Sequence, residues 1–589
     1  MRRFAILAAL SLIAAACAGG SGSTPVVTGT TPGSDVVVGD TAPPDTPPPP
    51  PTCPATTPIT APDGSNPKIE FLSGDAGLAS VSISQATFEC ATHVVVVSDA
   101  DLDRIAVATV LAVSLGAPLL IGSNETTGLL AFETERLAPE QMIAVGDDFA
   151  VAAPEWTAIV TLTGDTVGLA AEINSLIGVV ATLPLPTEKG AATLVATINA
   201  IGSGSGLMPP TPPPPPATDS SAATSTTTTA EPAPEPGTAV PGLTAGSGST
   251  GVALLVDGGQ PAAALAAFAA AEGSGAVVAL IDDEDLRRVA EAGRALQSVP
   301  GGPGAIHVFG DVAPEARWQL DVIRTADELP GGGFLVLPRL FVALYGNPLT
   351  EALGVLGEQG PEDGAVRIRS IADGFAASDA PLLPTFEIIT TVAAGGAGSD
   401  GDYSNEMPPD VLQPFIDVAE QQGMYVILDL QPGRSDFLSQ AMEYEQQLLN
   451  PHVGLALDPE WRLKPDEVHL NQVGRVDAAE VNRVVEWLAG LVRENNLPQK
   501  VLVLHQFRLF MLENRELIQA PPELQIIVQM DGQGAQTNKY VTWDIITQGW
   551  QEMPWAWGWK NFFDEDSPGP VSPGEILQLV PTVVFTSFQ

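Results

Sequence analysis

The sequence predicts an α/β chain in which a tandem parallel-sheet repeat unit precedes a (β/α)8 barrel. Three observations carry that prediction. Short apolar, β-branched runs alternate with helix-spaced segments twice before residue 330. Strand, helix, strand at that spacing makes a parallel sheet. Eight strand-like runs, seven of them followed by a helix-length segment, fill residues 331–589, and about 250 residues is the size of such a barrel. Two stretches rich in Pro, Gly, Ser and Thr, 17–66 and 202–249, separate the folded parts. Such composition cannot bury enough apolar surface to order itself.

In chain order, residues 1–16 read as a secretory signal: Arg2 and Arg3, then an apolar run, then small residues. The run is too short to span a bilayer. Ala14-Ala15-Ala16-Cys17 resembles a bacterial lipobox, with Ala14 where Leu is preferred. The resemblance implies a lipidated Cys17, a membrane anchor and an extracytoplasmic location, since paired acyl chains hold where one does not. The other reading is an ordinary cleaved signal with Cys17 incidental. Residues 17–66 then form a tether, between about 40 Å as a coil and about 150 Å as a polyproline rod. With one of the three cysteines lipidated, Cys53 and Cys90 remain. A disulfide between them is expected in an oxidising compartment; two unpaired thiols are the alternative.

Within 67–201, His93–Ser98, Ala117–Gly122 and Met142–Gly146 read as strands, and Asp101–Leu115 and Thr126–Leu137 as helices. Within 250–330 the order returns: strand Gly251–Val256, helix Pro261–Ala271, strand Ala276–Ile281, helix Glu284–Leu296, strand Ala305–Gly310. Gly-Asp follows the last strand in both, at Gly146-Asp147 and Gly310-Asp311. This suggests two copies of one unit. Residues 94–126 (VVVVSDADLDRIAVATVLAVSLGAPLLIGSNET) and 136–151 (RLAPEQMIAVGDDFAV) resemble the type 2 cell wall-binding repeat of Gram-positive bacteria. Asp101 or Asp103 sits near the family's helix-start Asp, Gly116-Ala117-Pro118 matches its Gly-Ala-Pro element, and Gly146 its first turn glycine. The family's Arg-Tyr-x-Thr-Ala element is missing. The resemblance implies attachment to cell-wall polysaccharide; an α/β spacer is the bland alternative.

The eight barrel strands are expected at Arg339–Leu344, Thr385–Val392, Tyr425–Leu430, Val453–Leu457, Lys500–Leu504, Gln525–Met530, Trp555–Phe562 and Thr582–Ser587. Helices are expected at Pro409–Gln422, Asp436–Leu449, Ala478–Asn495 and Leu509–Gln519. A TIM barrel carries its site at the C-terminal ends of its strands. Those ends hold Tyr345, Glu387, Asp429, Asp458, Glu460, Trp461, His505, Gln506, Asp531 and Trp557. Buried carboxylates cost free energy unless paired, so five at one mouth point to chemistry.

Glycoside hydrolysis needs two carboxyls, one kept protonated by its surroundings, and aromatic faces for the sugars. Leu457-Asp458-Pro459-Glu460-Trp461 resembles the Asp-x-Glu ending of the fourth strand in some TIM-barrel glycosidases, although Val453–Leu457 carries no acid. The resemblance implies Glu460 as general acid, tuned by Asp458; Asp458 and Asp429 are the next candidates for nucleophile or electrostatic support. Glu387, His505, Gln506, Asp531, Tyr345, Trp461 and Trp557 are the expected substrate contacts. Asp429, Asp458, Glu460, His505 and Asp531 also offer ligands to a divalent ion, but a lone histidine outside any His-x-His pattern makes this the weaker case. No metal and no cofactor are expected. A non-catalytic wall-binding scaffold is the alternative from another class.

Composition narrows the partners. Lys and Arg total 25 against 70 Asp and Glu, a net charge of −45. A surface this acidic repels phosphate backbones, which excludes nucleic acid, and it lacks the basic patches that dock anionic lipid. The expectation is a lipid-anchored monomer acting on, or holding, an envelope polysaccharide.

Overall fold

The computed structural model describes residues 53–61, 64, 66–123, 125–146, 152–177, 181–184, 190–201, 205–208 and 249–589. Cys17, Asp147, most of the tether and most of the 202–249 linker lie outside the described residues. Among the described residues no helix is long and apolar enough to cross a membrane.

Two four-stranded parallel sheets come first. One runs in the order Leu119–Gly122, His93–Ser98, Gln141–Val145, Ala158–Leu162. The other runs Val277–Ile281, Val252–Asp257, Ala305–Phe309, Lys68–Leu72. The strand Lys68–Leu72 therefore joins a sheet whose other members follow residue 250. Between the sheets the alanine-rich helix Pro261–Ser274 is buried on nearly every side. Small side chains let it approach closely: a Cβ added at Gly273 would meet the Gly116 carbonyl carbon at 2.8 Å. Gly116 itself ends the helix Leu102–Leu115 in the left-handed conformation, which glycine adopts without a steric penalty.

Cys53 and Cys90 are disulfide-bonded, with Cα atoms 5.7 Å apart and a sequence separation of 37. The bond fastens the chain entering the first sheet. On a chain-entropy estimate, Cys90→Ser removes about 4 kcal/mol. Chemical denaturation without reductant should show the loss; an unchanged midpoint would refute it.

The second part is a closed barrel of eight parallel strands: Leu340–Gly346, Leu382–Ala393, Tyr425–Leu430, Val453–Leu457, Lys500–Gln506, Leu524–Met530, Ala556–Asn561 and Val583–Phe588. The first strand pairs with both the second and the eighth, which closes the ring. Side chains alternate inward and outward along each strand. Phe341, Ala343, Ile427, Ala456, Val503, Ile527 and Phe585 point inward and form an apolar plug. Leu344, Phe386, Leu428, Leu504, Trp557 and Phe588 point outward into the shell beneath the helices. One expected helix does not form. Leu509–Gln519 is a pair of short 3-10 turns around a two-residue strand that pairs with Val476–Asp477. Asn514 sits there at φ +56°, which breaks any helix running through it.

Candidate active site

The site is the next layer above the plug. Two residues beyond Ala343, Ile427, Ala456 and Val503 come Tyr345, Asp429, Asp458 and His505. The same step from Thr385, Gln529 and Gly558 gives Glu387, Asp531 and Lys560. Period-two alternation thus gathers residues spread over two hundred positions onto one level. Neighbouring strands pair in register, Tyr345 opposite Glu387.

His505 stands at the centre, fully buried. Its Nε2 lies 2.9 Å from Glu387 Oε1 and its Nδ1 2.9 Å from Asp531 Oδ2. Asp458 Oδ2 is 4.0 Å from Nδ1. Both ring nitrogens donate only when the ring is an imidazolium. Burial opposes that charge, but the fields of Asp429 and Asp531 and the hydrogen bonds to Asp531 and Glu387 outweigh it and hold the pKa well above its ordinary value. Lys560 Nζ is 3.2 Å from Asp531 Oδ1 and lies 3.4 Å over the Tyr345 ring. Its pKa is raised: burial works against the charge, and Asp531 with its neighbouring carboxylates prevails. Lys539 braces its backbone. It donates to the Lys560 carbonyl at 2.8 Å and pairs with Asp566.

The carboxyls divide accordingly. Burial raises Asp458 well above its ordinary value and raises Asp429, which accepts the Tyr345 hydroxyl at 2.8 Å. Glu460 is pushed up to about 7, by burial first and by Asp531 second. Asp531 is lowered: burial resists, and Lys560 and His505 overcome it. One cavity of about 820 Å3 is walled by Tyr345, Asp458, Glu460, Trp461, Asp531 and Lys560, among others. Glu460 is aimed by Asp458, whose Oδ1 accepts the Glu460 backbone N–H at 3.1 Å. Glu387, Asp429 and His505 lie beneath the cavity rather than on its wall.

Two expected contacts sit elsewhere. Trp557 is 2% exposed and faces outward, packed against Trp543 and Trp555; no sugar reaches it. Gln506 is one residue past inward-facing His505 and so points away. It brackets the following loop, donating to the Leu509 carbonyl and accepting from Arg515. Lys560 and Lys539 are site residues outside the set expected from sequence. Lys560 was recoverable by alternation: in Trp557-Gly558-Trp559-Lys560 the tryptophans share one face and the lysine the other.

One oxygen of Asp429, one of Asp458 and a nitrogen of His505 lie within 4.8 Å of one another, a spacing that suits metal ligands. Both nitrogens of His505 are already engaged, however, and a protonated ring has no lone pair to offer. The donor set fits a charge network better than an ion.

No family model and no curated protein matches the sequence. Two solved structures similar to the chain are the cell wall proteins Cwp6 and Cwp8 from Clostridium difficile. Cwp6 is 10% identical over 68% of this chain and 66% of its own, with a TM-score of 0.29. Cwp8 is 13% identical over 44% and 52%, also with a TM-score of 0.29. The chain thus spans less than two thirds of either. So slight a likeness carries no argument.

Proposed function

We propose that the chain is an extracytoplasmic, wall-associated protein whose barrel hydrolyses an envelope polysaccharide by acid–base chemistry. A lipid anchor at Cys17 and a wall-binding role for the α/β unit belong to the same proposal; the lipobox and repeat resemblances in the sequence support them. The observation that carries the chemistry is the division of carboxyls on one wall: Glu460 keeps its proton to about 7, while Asp531 is held ionised. Environments that push two acids apart assign the roles of acid and anion.

In this reading Glu460 protonates the glycosidic oxygen. Asp531 stabilises the positive charge that develops on the ring as the glycosidic bond breaks; a water then adds to that carbon and gives its proton to the Glu460 carboxylate. Asp458 positions Glu460 by accepting its backbone N–H. Asp429 and Glu387 act from below, through Tyr345 and His505. Trp461 on the cavity wall offers a face on which a sugar stacks.

The test is release of reducing ends from isolated wall polysaccharide by the purified chain. Because the acid must be protonated, activity should fall as pH rises through about 7. Activity that climbs across that range removes Glu460 as the acid. Glycan that binds without being cut makes the barrel a gripping module instead.

A further inference from the structure

The cavity has a second character: several apolar side chains line it beside the charged and polar ones. Leu353, Leu470, Phe507, Val541 and Ile545 all line it. They come from separate places. Leu353 ends a 3-10 turn after the first barrel strand, Leu470 lies in the loop after the fourth, and Phe507 directly follows the fifth. Val541 and Ile545 are one turn apart on the helix Gln536–Ile546, after the sixth. Leu470 is 79% exposed, Val541 57% and Ile545 49%. Single exposed aliphatics are ordinary on any surface. Several lining one cavity, in a chain of net charge −45, mark a surface that something apolar covers.

We propose that the substrate is amphiphilic: a saccharide head against the charged side chains, with an acyl or prenyl chain lying against the apolar ones. The head rests on the glycosidase reading; the apolar contact stands without it. At about 820 Å3 the cavity is at the upper end of single-ligand sites, which suits both parts of such a molecule. Continuity also favours this occupant over a lipid bilayer. The apolar side chains and Glu460 line one cavity, so a bound chain would lead its own head to the acid.

The test uses the full chain and methyl, hexyl and octyl β-glucoside below their micellar concentrations, with binding read by calorimetry. Burying methylenes should make octyl bind at least about tenfold tighter than methyl. Val541→Asp with Ile545→Asp should erase that gain, leaving methyl binding and the melting temperature unchanged because both side chains are exposed. Equal affinities, no octyl binding, or a gain that survives the double variant each overturn the proposal. So does a double variant that loses sedimentation with phosphatidylglycerol vesicles yet keeps octyl binding, since the apolar side chains then dock membrane. Polysaccharide cleavage is scored separately. A chain that binds by alkyl length and cuts nothing keeps this inference and loses the hydrolase; a hydrolase indifferent to alkyl length does the reverse.

Discussion

His505→Leu is expected to destabilise the barrel by about 3–5 kcal/mol at pH 7, the usual result of removing one partner from a buried charge network. The ring is the cation between Glu387 and Asp531, with Asp458 4.0 Å away. Without it, Lys560 alone faces the gathered carboxyls. The pH dependence gives the sharper signature. The folded pKa of His505 is raised above the unfolded value of about 6.5. Its stabilisation is therefore fully present below about pH 6.5 and is lost as pH rises through the folded value. Melting temperatures from pH 5 to 9 should show the wild type declining on the alkaline side. The variant lacks that His505 contribution, so the gap between the two is widest below about pH 6.5 and narrows as the wild type declines. A variant that melts with the wild type at pH 7 would show that the ring is packing rather than charge. His505→Gln, which restores polarity without charge, separates the two.

The barrel was legible because its physics is local. A strand buried on both faces reads as an apolar run, and Tyr425–Leu430 and Val453–Leu457 stand where the runs predict them. What failed was the choice between faces. A strand end carries side chains on both faces: Trp557 and Gln506 point outward, and Lys560 points inward. A plug of inward Ala456, Val503 and Ile527 sets the phase for every strand, and that phase comes only from closing the ring. Long-range pairing hid other elements. Lys68–Leu72 is a strand because Ala305–Phe309 lies beside it, and no local signal joins segments so far apart. Leu509–Gln519 has helical length and apolar content, yet the left-handed Asn514 and the pairing with Val476–Asp477 override both.

Glu460→Gln is expected to lower the rate of polysaccharide cleavage by about 10²–10⁴-fold, the usual contribution of a positioned general acid. The amide keeps the shape and the Asp458 contact, which is to backbone, but has no proton to give. A loss of activity alone would not separate chemistry from folding; stability does. Burial and Asp531 raise Glu460 from 4.5 to about 7. For a carboxyl whose folded pKa exceeds its unfolded one the sign is unfavourable. It costs nothing below about 4.5, costs more as pH rises towards 7, and stays at full cost above. Wild type and variant should therefore melt together at pH 4, and the variant should melt higher at pH 8. A structural residue behaves oppositely, with activity and melting temperature falling together. Glu460→Asp completes the comparison: it keeps the acid but withdraws it by about one bond length, for which about a hundredfold loss is expected. If the Gln variant cleaves at the wild-type rate, the proton comes from elsewhere on the wall.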